Sequence, residues 1–127
     1  MRVALDTNRY TDFMRGEAAV ADVVEEAEEI VLPFVVLGEL RGGFAHGTKK
    51  TANERRLDEF LLERDVVVVY ADEPTTRHYA AVYQQLRGMG KMIPLNDLWI
   101  AALVIQHGLA LCSRDGHFDH LPQIRRV

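Results

Sequence analysis

A single cysteine in 127 residues excludes an intrachain disulfide, so the fold must rest on its hydrophobic core. That residue, Cys112, lies in the apolar stretch LALCS, where a buried and unreactive thiol is expected. No apolar run approaches the roughly 18 residues that cross a bilayer. The N-terminus, MRVALDTNRY, meets a charged side chain at Asp6, which leaves no room for the apolar region of a secretory signal. These absences lead to the expectation of a cytoplasmic chain. A basic excess is missing as well. Lys and Arg number 15 against 19 Asp and Glu, for a net charge of −4 and a pI near 5.7. Broad nucleic-acid-binding faces are usually basic, so any contact with a polyanion would have to be local and assisted by cations. The chain has neither a G-x-S-x-G nucleophile elbow nor a Gly-rich phosphate loop.

What is present reads as one α/β domain over residues 1–127, ordinary in being 48% hydrophobic and 27% charged. Val3–Leu5 is a short apolar run ending at Asp6, as a buried strand would. Thr7 and Asn8 suit a helix N-cap before a helix through about Tyr10–Met14. Gly16 separates it from a second helix near Ala18–Glu28, with Ala19, Val20, Val23, Val24 and Ala27 on one face. Ile30–Phe34 returns to a strand, redirected by Pro33. The next 13 residues, VVLGELRGGFAHG, favour a helix, and Thr48–Glu63 is amphipathic around Leu57, Phe60 and Leu61. Val66–Tyr70 is β-branched and uninterrupted, the clearest strand in the chain. Glu73–Arg87 is helical, GMGK a loop, Asn96–Gln106 a buried helix with a C-cap at His107-Gly108, and Leu109–Ser113 a strand. RDGHFDHLP reads as a loop and QIRRV as a short edge strand. Apolar strands alternating with helices indicate a three-layer fold, with a parallel sheet of four to five strands flanked by helices.

In such sheets, sites gather at the carboxyl ends of the strands. Asp6 ends the first strand, and Asp115 follows the last by two residues. Asp97 stands in the first turn of the helix before that last strand, at the mouth of the apolar run LWIAALVI. Glu39 lies one to two turns into the helix after the second strand. All four can meet in one cleft. A desolvated carboxylate costs several kcal/mol unless something positive meets it. A divalent cation answers both desolvation and mutual repulsion, and hard oxygen donors suit Mg²⁺, with Mn²⁺ also acceptable. Asp6 and Asp97, each adjoining an apolar run, are the principal candidate ligands.

Each acid has a plainer reading. Asp6 could open a helix, Asn96 and Asp97 could be a cap and a first-turn acid, Glu39 could be solvated, and Asp115-Gly116 could be a turn. Their joint placement at matching strand ends makes the plainer readings less attractive. Ser113 could hydrogen-bond a carboxylate or phosphate, or merely turn the chain. Asp119 could be a peripheral fifth carboxylate. Asp115, His117, Asp119 and His120 match no strong zinc spacing. Trp99 reads as core packing. Arg9, Arg41, Lys91 and Arg114 flank the acids and could contact a polyanion, though surface placement alone would account for them.

The segments VALDTNRYTDF, LPFVVLGELRGGF, IPLNDLWIAALVIQHGL and LCSRDGHFDHLP, in this order over residues 3 to about 122, resemble PIN-domain ribonucleases, and among them the VapC toxins of type II toxin–antitoxin pairs. LDTN and NDLWIAA together make the resemblance specific. It implies a Mg²⁺-dependent endoribonuclease whose acidic site falls on Asp6, Glu39, Asp97 and Asp115, with Asn8 and Ser113 at auxiliary polar positions. Ser113 stands where Thr is usual, and Arg9 where a small apolar residue is common. The resemblance further implies a homodimer and a cognate antitoxin that wraps the toxin and blocks its site. Competing readings are a catalytically silent PIN-like binding module, a nuclease directed at DNA, and a receiver-type phosphoacceptor domain. The last would need paired acids after the first strand and a late lysine, and the chain has neither.

Overall fold

The computed structural model describes all of residues 1–127. Four short strands form one parallel sheet: β1 (Arg2–Leu5), β2 (Glu29–Pro33), β3 (Val66–Val69) and β4 (Ala110–Cys112), in the order β3-β2-β1-β4. The helices are α1 (Thr7–Met14), α2 (Ala18–Glu26), α3 (Phe34–His46), α4 (Lys50–Leu61), α5 (Glu73–Met89) and α6 (Leu95–Gln106), followed by a 3-10 turn at Gly116–His120. No helix is long and apolar enough to cross a membrane.

Burial explains the strand sequences. Val3, Ala4 and Leu5 in β1, Ile30, Val31 and Leu32 in β2, and Leu111 in β4 are all enclosed, because helices cover the parallel sheet. With Val20, Val36, Leu57, Leu86, Leu98 and Ile100 they form one continuous core. Cys112 is buried in it, and burial pushes its thiol above the ordinary value. Helix α6 is apolar on nearly every side, with Leu98 and the run Ile100–Val104 enclosed. Gly108 then takes a positive φ of 61° and turns the chain into β4.

Several local expectations need correction. The strand expected over Val66–Tyr70 stops at Val69; it lies at the sheet edge, half-buried, and pairs with β2 alone. QIRRV contributes a single bridge, Arg126 beside Leu111, and no strand. The segment expected as a loop after Ser113 folds into the 3-10 turn. Gly88 and Met89 extend α5, which ends at Gly90 in the left-handed region (φ 67°). Asp6, not Thr7 or Asn8, caps α1, because its carboxylate reaches the Arg9 amide. Asn96 lies inside α6, which starts one residue earlier, after Pro94. Trp99 is half-buried and packs on Tyr79 of α5, with ring centroids 4.4 Å apart.

The topology positions a site. From β1 the chain runs outward to β2 and β3, then returns to lay β4 on the other side of β1. A crevice forms at the carboxyl ends of strands where the winding direction switches, here between β1 and β4.

Candidate active site

The β1–β4 register pairs Leu5 with Cys112. Asp6 and Ser113 therefore come next to each other at the same sheet edge, and the Asp6 amide donates to the Cys112 carbonyl (3.3 Å). The Ser113 hydroxyl donates to Asp6 Oδ2 in a short hydrogen bond. Asp6 Oδ1 accepts the Arg9 amide of the first α1 turn (2.9 Å). The carboxylate is almost wholly enclosed, at 6% exposure, and both oxygens are held in fixed directions. Ser113 Oγ also accepts the Asp115 amide (3.0 Å), so one hydroxyl ties two acidic positions together.

The other acids arrive from separate elements. Glu39, in the second turn of α3, accepts the Thr7 hydroxyl (2.7 Å). Asp97 occupies the first turn of α6, where the helix N-terminus favours an anion. Asp115 precedes the 3-10 turn and accepts the His117 amide on Oδ1 (2.9 Å). A cleft of about 440 Å³ is lined by Asp6, Asn8, Glu39, Asp97 and Asp115, with Asn96 and Ile100 beside them. All four expected carboxylates thus meet, with Asn8 among them and Ser113 bonded behind Asp6.

The electrostatics of the cleft are unfavourable for the protein alone. Burial raises the Asp6 carboxyl above its ordinary value and the Asp115 charge adds to this, while the Ser113 and Arg9 hydrogen bonds oppose it. Asp97 is also raised, chiefly by burial and further by Asp115 and Glu39, with the His117 hydrogen bond opposing. No Lys or Arg forms an ion pair with any of the four acids. The arginines nearby are engaged elsewhere.

Arg9 pairs with Asp12 (3.3 Å) and Glu17 (3.1 Å), and Arg114 pairs with Asp12 (2.9 Å). Arg41 is bound by Glu54 and Asp58 of α4. Of the four cations expected to flank the site, Lys91 alone is free of ion pairs; it is exposed, three residues before Pro94 at the cleft. Asp119 lies outside the cleft lining and is drawn to Arg126 (3.0 Å).

Two residues given no role by the sequence reading stand close to the acids. His117 Nδ1 lies 2.7 Å from Asp97 Oδ2 and 3.0 Å from Asp115 Oδ1. One donor atom each from Asp97, Asp115 and His117 falls within a 4.8 Å circle, a grouping able to hold a metal ion. Arg126 donates from Nη2 to the carbonyls of Ser113 (2.8 Å) and Asp115 (2.9 Å), and its guanidinium lies 5.7 Å from the Phe118 ring centroid. It fastens the loop that carries Asp115. The H-x-x-H spacing drew attention to His117 only as a weak zinc pattern, and nothing in the sequence marks Arg126.

The chain is similar to known proteins over most of its length. Residues 3–124 match the PIN domain family model. Ribonuclease VapC4 of Mycobacterium tuberculosis is 32% identical over 93 residues, covering 73% of this chain and 72% of that protein. Toxin FitB of Neisseria gonorrhoeae is 31% identical over 121 residues, covering 89% and 87%. Among solved structures, VapBC2 from Rickettsia felis bound to a promoter DNA fragment superposes with a TM-score of 0.87 at 24% identity, covering 100% of this chain and 98% of that one.

Proposed function

The chain belongs to the PIN-domain family in its VapC branch, and on that premise we propose that it is the ribonuclease toxin of a toxin–antitoxin pair, hydrolysing RNA phosphodiester bonds at the Asp6–Glu39–Asp97–Asp115 cleft. The observation that carries the proposal is the convergence of four carboxylates, from four separate segments of the chain, with no lysine or arginine ion-paired to any of them. The donor chemistry fits a hard divalent cation: carboxylate oxygens at the mouth of an open cleft, three of them (Asp6, Asp97 and Asp115) on buried or half-buried groups. We assign Mg²⁺, with Mn²⁺ as an alternative. When bound, the cation would polarise a phosphoryl oxygen and lower the pKa of an attacking water.

The protein's own contribution is orientation. Asp6 and Asp97 are the principal ligands. Ser113 and the Arg9 amide hold the Asp6 carboxylate in one rotamer, leaving lone pairs on both oxygens free for a cation. Asp97 is held at the N-terminus of α6, whose partial positive charge favours the ionised form needed for coordination. Glu39, steadied by Thr7, and Asp115, held by the 3-10 turn, complete the ligand set or accept a proton from the attacking water. Asn8 at the cleft wall is placed to donate to substrate. Lys91, free of ion pairs, is the best placed of the flanking cations to meet the RNA backbone.

Single-stranded or looped RNA is the expected substrate, since base edges are readable there. Residues 1–127 act as a single nuclease domain in the cytoplasm, as a homodimer restrained by a cognate antitoxin protein. Expression of the chain in a bacterial host without a partner should slow growth, and Asp6→Asn should not. Equal toxicity from the two would overturn the catalytic assignment.

A further inference from the structure

We infer that His117 is a nitrogen ligand to the cation in the acidic cleft and raises its affinity for Mn²⁺ relative to Mg²⁺ above what the four carboxylates alone would give. This rests on the metal-dependent reading proposed above and adds a donor to it. The four acids offer only oxygen, whereas the His117 imidazole is the nitrogen beside them with a lone pair to give a metal. Its Nδ1 stands between two carboxylates that no lysine or arginine approaches, 2.7 Å from Asp97 and 3.0 Å from Asp115. The three donor atoms already lie within 4.8 Å of one another.

The local fold sets the imidazole against the Asp97 and Asp115 carboxylates, at the edge of the cleft they line. Asp115 Oδ1 accepts the His117 amide, which closes the turn, and Phe118, the next residue, is buried as its anchor. Arg126 grips the carbonyls of Ser113 and Asp115 from behind. The side chain itself is 45% exposed, so it stands at the cleft mouth and not in the core. An imidazole there converts an all-oxygen set into a mixed one. Mg²⁺ keeps to oxygen donors and gives up its water reluctantly, while first-row transition cations accept imidazole readily.

The test uses the full chain and the metal ions alone as probes. Mn²⁺ affinity is measured by titration calorimetry and Mg²⁺ affinity by competition, for wild type, His117→Ala, His117→Asp and Asp97→Asn. Pulsed electron paramagnetic resonance of the Mn²⁺-loaded protein reports directly on a coordinated nitrogen. The wild type should show ¹⁴N coupling that disappears in His117→Ala. That variant should lose about tenfold in Mn²⁺ affinity and far less in Mg²⁺ affinity, narrowing the preference. His117→Asp should recover Mn²⁺ binding without the nitrogen signal. Absence of ¹⁴N coupling in the wild type, or a His117→Ala chain that binds Mn²⁺ as tightly or more tightly, overturns the inference and marks the imidazole as a mere occupant of the gap. If that result comes with a large loss in Asp97→Asn, the acidic site stands and only the histidine assignment fails. A wild-type chain that binds neither cation overturns both.

Discussion

Ser113 and Asp6, 107 positions apart in the chain, share a buried hydrogen bond because the parallel register of β1 and β4 sets them side by side. That bond joins the two strand ends between which the cleft opens. It also links the enclosed carboxylate to the loop bearing Asp115, whose amide binds the same hydroxyl.

Ser113→Ala should therefore be felt at both acids. It removes the donor that opposes the burial of Asp6 and leaves the Asp115 amide without its acceptor. A buried polar group left unsatisfied costs about 1–3 kcal/mol, so stability by urea titration should fall by that order, and activity should fall with it. Ser113→Thr keeps the hydroxyl and should stay near wild type in both respects.

Asp97→Asn should abolish cleavage while leaving the metal-free fold intact or more stable. The substitution keeps the shape and removes one of the clustered negative charges that burial already disfavours. A large fall in melting temperature for the metal-free variant would contradict the repulsion argument.

The pH dependence of the metal-free chain follows from the same charges. Asp6 and Asp97 have carboxyls raised above the ordinary value in the folded state, so their ionised forms weaken the fold at neutral pH. Stability should rise as pH falls from neutral through their raised folded values. Asp12 works in the opposite sense. The Arg114 hydrogen bond, and then Arg9, hold it below the ordinary value, so its contribution is complete above that value and lost as pH falls further through the lowered one. Thermal melts of the metal-free protein should show a maximum in mildly acidic solution. In Asp97→Asn the rise on its neutral side should shrink, and in Arg114→Ala the decline on its acid side should become shallower, because Asp12 loses most of what holds its folded value down.

Arg126→Ala should loosen the Ser113–His117 loop. Two backbone carbonyls and Asp119 lose a charged donor together, and Arg126→Lys cannot reproduce the forked contact. Amide hydrogen exchange over residues 114–120 should accelerate in both variants, more in the alanine one, with the other loops unchanged.

The meeting of the acids was more legible in the sequence than the lateral order of the strands. Asp6 and Asp97 stand out because each adjoins an apolar run, and Asp115 because it follows a strand, so chain position alone brings them to one edge. Strand order carries no such local mark. Val66–Val69 is the strongest β sequence, yet it lies at the edge, since β-branching reports strand formation and not lateral place. The contact of His117 with Asp97 leaves no mark in the sequence, because the two lie 20 residues apart and on different elements. Arg9 and Arg114 were expected to face a polyanion, but the fold turns both onto Asp12, a buried acid with no sequence signal.

The most direct measurement is cleavage of total bacterial RNA by the purified chain with Mg²⁺, with EDTA, and with Asp97→Asn, beside matched RNA and DNA oligonucleotides. The four-carboxylate account predicts discrete RNA fragments that need the cation, vanish in both controls, and have no DNA counterpart. Cleavage that persists in EDTA or in Asp97→Asn, or that falls on DNA instead of RNA, would contradict it.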